Sequence, residues 1–344
     1  MKKIRIGLNG LGRIGRTIFR ELYRQQSNGL LSNIEIVAIN NPGDMKSYAH
    51  LLEHDSVHRH FNLQAEYNGN NLLLVNNKDQ IPTYGQVSPK EIPWSKHNVD
   101  IVIDCTGVFR DQDSLKQHLG ETVKKVILCA PGKKIDSTIV MGINEKTFNP
   151  STHHIISNAS CTTNCLAPLA KVLNDNFQIE SGMMTTVHSY TSDQNLLDNS
   201  HDDLRRSRAA ALSMIPTTTG AAKALGEVLP ELAGKLDGYS VRVPTPDVSL
   251  VDLTVMLTKT VTIADVNNAM KEASLSHLKN ILAYTEKELV SIDYMGRPES
   301  SIFDAPLTNV VGKMVKVVSW YDNEVGFSNR VLDLTSYVGK QTWG

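Results

Sequence analysis

The 344-residue sequence predicts an α/β protein of two domains: a doubly wound parallel-sheet domain and an α+β domain with a mainly antiparallel sheet. Three observations carry this. The chain is longer than one hydrophobic core usually serves. Its opening stretch reads strand, glycine-rich turn, helix, strand. Past about residue 157 the apolar runs lengthen and begin to alternate with polar residues. In order, residues 3–8 (KIRIGL) alternate as a short strand, RIGRTIFRELYRQQ carries apolar residues at helical spacing, and residues 34–40 (IEIVAIN) form the next strand, which completes one βαβ unit. Residues 99–107 (VDIVIDCTG) and 124–130 (KKVILCA) are continuous apolar runs of the kind a parallel sheet buries on both faces. The second domain follows with strands in GMMTTVHSY, YSVRVP and SLVDLTVMLT and helices over 218–228 and 263–275. The last segment, from VVSWYDNEVGFSNR onward, returns to strand, turn and helix and packs back on the first domain. The expected division is 1–157 with 320–344, and 158–319.

Charge and composition exclude several classes. Thirty-five basic residues against thirty-six acidic ones leave no global field for nucleic acid or an anionic membrane, so no dedicated nucleic-acid binding is expected. The opening apolar stretch breaks at Gly7 and Gly10, short of a signal-peptide core, and no window approaches the roughly 18 apolar residues of a span. A cytoplasmic protein is expected. Cys105, Cys129, Cys161 and Cys165 form no CxxC pair and no Cys/His set with zinc spacing, so reduced thiols and no metal site are expected. Cys105 and Cys129 read as filler in core strands, and Cys165 as packing inward one turn behind Cys161.

Gly10-Leu11-Gly12-Arg13-Ile14-Gly15 is a GxGxxG element between a predicted strand and a predicted helix. Glycine permits the tight turn and close backbone approach, and the helix N-terminus offers N–H groups and positive dipole to a pyrophosphate. This marks a Rossmann-type dinucleotide-binding domain. Past the second strand, where such folds usually hold an acid for the ribose diol, stands Asn40-Asn41-Pro42. An amide at Asn41 lacks the charge that repels a 2′-phosphate, so NADP stays open beside NAD. Asn41 equally reads as the cap of a turn before Pro42.

The segment SNASCTTNC (157–165) runs from the strand-like HHIIS into a helix-like LAPLAKVLNDNF, which puts Cys161 near a helix N-terminus, where the dipole lowers a thiol pKa. His188, at the end of GMMTTVHS, is the candidate base. Alone, Cys161 reads as a buried structural thiol and His188 as a satisfied core histidine. A phosphate-bearing substrate needs hydroxyls, backbone N–H groups and arginine forks nearby. Thr162, Thr191, the run Thr217-Thr218-Thr219-Gly220, Arg205, Arg208 and Arg242 supply them, although DDLRRSR also reads as a solvated face and TTTG as a helix cap.

Together these motifs resemble the phosphorylating (type I) glyceraldehyde-3-phosphate dehydrogenase family: NGLGRIGR (9–16), HLLEHDSVH (50–58), SNASCTTNCLAP (157–168), TTVHSYTSDQ (185–194), IPTTTGAAKA (215–224), RVPTPDVSLVDLT (242–254) and SWYDNEVGFSNRVLDL (319–334) span almost the whole chain in order. The resemblance implies oxidation of D-glyceraldehyde 3-phosphate to 1,3-bisphosphoglycerate by an NAD(P)-dependent enzyme, through a thiohemiacetal and a thioester on Cys161, with His188 as acid and base. It implies Thr191 and Arg242 for the substrate phosphate, and Ser160, Thr162, Thr219, Gly220 and Arg205 for the attacking inorganic phosphate. For the cofactor it implies Asn9, Gly10, Gly12, Arg13, Ile14, Asn41, Thr106, Cys129 and Asn323, and it implies a homotetramer. Glycolytic oxidation and gluconeogenic reduction would use the same residues. Asn41 in place of the usual acid, and Asn199-Ser200 in place of Leu-Pro, point toward NADP acceptance. Cys129 replaces a common serine near the adenine. Rival readings are an erythrose-4-phosphate dehydrogenase, which does not keep the TTTG run, and a non-catalytic binding protein on the same fold.

Overall fold

The computed structural model describes residues 2–344. These fall into two compact units: one holds residues up to Ile139, Glu145–Ala159 and Ser328–Gly344, the other Val140–Asn144 and Ser160–Phe327. The seam after the second sheet lies later than the expected 319/320. The strand Met314–Tyr321 is hydrogen-bonded to both Ser249–Leu257 and Ser301–Asp304 and cannot leave that sheet.

The helices, in chain order, are α1 (Arg13–Ser27), α2 (Met45–Glu53), α3 (Gln112–Lys116), α4 (Cys161–Phe177), α5 (Ala221–Val228), α6 (Ile263–Leu275) and α7 (Val325–Trp343). The first unit is built on a nine-stranded sheet whose order runs Ser137–Thr138, Ile155–Ser157, Lys125–Leu128, Ile101–Asp104, Ile4–Asn9, Ile34–Asn40, Asp79–Tyr84, Leu72–Val75, Ala65–Tyr67. Every pairing up to Asp79–Tyr84 is parallel, and the last two are antiparallel. Ile101–Asp104 and Lys125–Leu128 are buried along their whole length, as strands covered on both faces must be. The antiparallel edge over residues 65–84 was not anticipated, because its short strands carry no long apolar run. Within this unit the C-terminal part of α7 closes on the first strand so tightly that a Cβ on Gly339 would lie 2.1 Å from Ile4 Cδ1.

The second unit holds an eight-stranded, mainly antiparallel sheet, in which Ile179–Ser189 runs antiparallel to Ser249–Leu257 and parallel to Leu236–Val243. Ser249–Leu257 alternates buried and part-exposed positions, the pattern of a sheet with one covered face. Pairs of hydrogen-bonded positions across Leu236–Val243 set Arg242 beside His188 on one side and Ile215 on the other. The helix expected over 218–228 begins only at Ala221, because Ile215–Thr218 is a strand paired with Leu236–Val243. Among the described residues no helix is long and apolar enough to cross a membrane.

Candidate active site

Cys161 is the first residue of α4, and Ser160 is its N-cap in extended conformation. The Ser160 hydroxyl accepts from the Thr163 N–H at 3.0 Å and contacts the Thr163 hydroxyl at 2.8 Å, which fixes the first turn and aims the sulfur. Cys161 Sγ lies 3.5 Å from His188 Nε2. His188 Nδ1 lies 2.7 Å from the Ser189 carbonyl oxygen, which can only accept, so Nδ1 carries the proton and Nε2 presents its lone pair to the sulfur.

Burial sets the resting charge of this pair. It pushes the Cys161 thiol up, against the smaller opposing pull of Arg242 and the hydrogen bonds from the Thr162 side chain and backbone. The helix terminus was expected to give a lowered thiol, and burial overrides it. Burial, with Arg242 and Arg206 nearby, lowers His188 to about 3. The resting pair is therefore a neutral S–H facing a neutral imidazole.

Arg242 enters from the neighbouring strand and donates through Nη1 to the Thr191 hydroxyl at 2.9 Å and to Gln194 Oε1 at 3.4 Å. Its Nε, and the Nε2 of the buried Gln194, have no acceptor among the described residues. Two buried donors without an acceptor, beside the Thr191 hydroxyl, are the kind of groups that an anion satisfies. Arg206 donates to the Thr217 hydroxyl at 2.9 Å and to Asp193 at 2.5 Å, close enough to His188 to act on its charge. Thr219 accepts from the Ala221 N–H at 3.2 Å, and Gly220 precedes α5 with open space where a Cβ would stand.

The first unit carries the glycine turn. Gly10 has φ +92°, and a Cβ there would meet Thr106 N at 3.0 Å; a Cβ on Gly15 would lie 2.1 Å from the Gly10 carbonyl oxygen. Gly12 caps α1 and offers no side chain to its first-turn N–H groups, as a helix N-terminus that receives an anion requires. The Leu11 N–H donates to Asn41 Oδ1 at 3.0 Å, while Asn41 Nδ2 is buried with no acceptor among the described residues. Arg13 pairs with Asp55 at 2.5 Å. Burial works to raise the Asp55 carboxyl, but the His58 N–H and Arg13 prevail and hold it at about 2. Thr106 donates its hydroxyl to Asp104 at 2.7 Å. The turn, the bare helix terminus and the unpaired amide fit a dinucleotide.

A family model described as the NAD binding domain of glyceraldehyde 3-phosphate dehydrogenase matches residues 4–112, and one described as that enzyme's C-terminal domain matches residues 160–323. The chain belongs to the glyceraldehyde-3-phosphate dehydrogenase family. It is 53% identical over 339 residues to the glyceraldehyde-3-phosphate dehydrogenase of Geobacillus stearothermophilus, covering 98% of this chain and 99% of that one. The corresponding figures are 52% over 339 residues, with 98% and 99% coverage, for glyceraldehyde-3-phosphate dehydrogenase 1 of Bacillus subtilis (strain 168), and 50% over 337 residues, with the same coverage, for the Mycolicibacterium smegmatis enzyme.

Six of the residues singled out in the sequence are placed as follows. Arg205 is exposed, and its neighbour Arg206 is the arginine that reaches Thr217 and Asp193. Thr162 is buried, with its hydroxyl 2.9 Å from the Tyr321 hydroxyl, so it faces the interior and supports the sulfur. The Ser160 hydroxyl is committed to the cap. Asn9, 1% exposed, donates to Asp104 and accepts from Asn40, both at 2.8 Å, and braces three adjacent strands from inside. Asn323 lies in the second unit, where its carbonyl accepts from the Ser189 and Ser249 hydroxyls at 2.9 and 2.7 Å. Ser200 is exposed and hydrogen-bonded through its backbone N–H to Asn199. Sequence reasoning missed Arg206, Gln194 and Tyr321. The Tyr321 hydroxyl joins Thr162 to Thr186 at 2.9 Å each, and its ring stands edge-on to His188. The only advance signal for Arg206 was that DDLRRSR holds three arginines, and nothing in the motif said which turns inward.

Proposed function

We propose that this family member oxidises and phosphorylates D-glyceraldehyde 3-phosphate to 1,3-bisphosphoglycerate, with Cys161 as nucleophile and His188 as proton carrier. The observation that carries the reading is the 3.5 Å Cys161–His188 contact, with the imidazole tautomer set by the Ser189 carbonyl. Gly10, Gly12, Arg13, Ile14, Asn41 and Thr106 would hold NAD, which would supply the hydride acceptor when bound. As Cys161 Sγ bonds to the aldehyde carbon, its proton passes to His188 Nε2 and on to the nascent alkoxide. His188 takes that proton back as the hydride leaves, and a thioester remains on Cys161. Inorganic phosphate then attacks the thioester carbon, the C–S bond breaks, His188 returns its proton to the leaving sulfur, and the acyl phosphate departs.

Arg242, Thr191 and Gln194 receive the substrate phosphate, and Arg206, Thr219 and Gly220 the attacking phosphate. Anions at these places offset the cationic field that, after burial itself, lowers His188, so His188 becomes a better base when substrate is bound. The cofactor selectivity goes one step further: the unpaired Asn41 Nδ2 is a donor for a ribose hydroxyl or a 2′-phosphate oxygen, where an acid would repel the phosphate, and we infer substantial NADP turnover. A homotetramer is supported by Met183, Tyr239, Met256 and Met314, apolar side chains exposed on the second sheet.

Steady-state kcat/KM with NAD and NADP, with and without inorganic phosphate, tests this. Turnover should require phosphate. Preference for NAD by more than about 1000-fold would remove the NADP reading, and phosphate-independent turnover would remove the acyl-phosphate product.

A further inference from the structure

Cys105 and Cys129 follow directly on the adjacent parallel strands Ile101–Asp104 and Lys125–Leu128. Those strands pair Asp104 with Leu128, and the Cys129 N–H donates to the Asp104 carbonyl at 3.0 Å, so the ladder carries the two cysteines side by side. Both are free and only partly buried, and their sulfurs lie 3.4 Å apart. They are not the enclosed core filler that the sequence suggested. The reaction scheme uses neither thiol.

We propose that Cys105 and Cys129 form a reversible disulfide that weakens NAD binding at the glycine turn. The cofactor half of this rests on the dinucleotide reading of that turn. Geometry favours the bond: the sulfurs need close only from 3.4 Å to about 2.05 Å, a motion of side-chain rotation on opposed residues. A bridge between directly opposed strand positions is geometrically tight, which makes it easily reduced. With the sulfurs side by side, one thiol can attack and the other resolve. With a small-molecule disulfide as oxidant, the first thiolate forms a mixed disulfide and releases one thiol. Its neighbour then displaces the second, and two electrons and two protons end on the two released thiols.

The link to the turn is close contact. A Cβ at Gly10 would lie 3.1 Å from the Cys105 carbonyl carbon, and a Cβ at Gly15 would lie 3.7 Å from Cys105 Cβ. Cys105 is thus the floor on which the glycine turn rests. Drawing its sulfur toward Cys129 shifts that floor and the following Thr106 backbone.

The test uses the full-length Cys161→Ser protein, which removes the reactive thiol from competition, treated with glutathione disulfide. Non-reducing peptide mapping should find Cys105 joined to Cys129 with a loss of two hydrogens, and titration calorimetry should find NAD bound about tenfold more weakly, with dithiothreitol restoring both. Adding Cys129→Ser, or separately Cys105→Ala, should abolish the crosslink and the loss of affinity. Absence of the joined peptide, or a crosslink with unchanged NAD affinity, would overturn the proposal. If the reduced protein bound no NAD at all, the dinucleotide reading itself would fall, a result distinct from either.

Discussion

Two helix N-termini in this chain treat their first-turn N–H groups in opposite ways. α1 begins at Gly12 with no side-chain cap, whereas α4 begins at Ser160, whose hydroxyl takes the Thr163 N–H. The bare end fits the anion of the proposed cofactor, and the capped end fixes the first turn where the proposed nucleophile, Cys161, sits. The difference teaches that a helix start is a binding site only where the chain declines to satisfy it. At the capped end burial raises the Cys161 thiol and outweighs the Thr162 and Cys161 N–H groups, which still pull it down.

The sharpest way to break this contrast is to cap the bare end. Gly12→Ser meets no atom within 4 Å of its new Cβ, so the fold should survive while NAD binds on the order of 10–100-fold more weakly, measured by calorimetry beside a thermal melt. A melt that drops steeply would mean the turn, not the open N–H groups, was damaged. Next comes the arginine pair. Arg206→Ala should lower kcat/KM for phosphate on the order of 10–100-fold, as loss of charge-assisted hydrogen bonds does, and Arg205→Ala should change it by no more than about twofold. Equal losses would refute the assignment of Arg206. Uncapping α4 with Ser160→Ala should cost about 1 kcal/mol of stability, read by denaturant unfolding, and slow turnover through a loosened Cys161.

The smallest effect concerns pH. Burial, then Arg242, hold His188 at about 3 against an ordinary 6.5, so the unfolded chain takes up this proton first. The stability that His188 contributes is present above about 6.5 and is lost as pH falls through the window down to about 3. Unfolding free energy should therefore depend less on pH across that window in His188→Gln, and an unchanged slope would show that His188 is not held neutral.

How far the sequence carried can be judged from these same residues. The βαβ start, the Cys161 helix terminus and α6 were legible because periodicity and glycine spacing are local signals. Residues that distant strands and loops bring together left no such trace. Arg206 and Arg205 are chemically identical neighbours, told apart only by which one the loop turns toward Thr217. Gln194 and Tyr321 became visible only once the sheet register set His188, Arg242 and their neighbours in a row. The burial of Thr162 was hidden for a related reason, since a motif shows that a hydroxyl is present but not that it lies 2.9 Å from the Tyr321 hydroxyl. The Cys105–Cys129 proximity likewise follows from strand pairing across residues far apart in sequence.

The central claim is that Cys161 carries the acyl group and phosphate releases it. Intact-protein and peptide mass spectrometry after mixing enzyme, NAD and glyceraldehyde 3-phosphate without inorganic phosphate tests it most directly. A phosphoglyceroyl adduct confined to the Cys161 peptide, absent from Cys161→Ser and discharged on adding phosphate, is the expected result. Turnover with no adduct on Cys161, or an adduct that phosphate leaves in place, would contradict it.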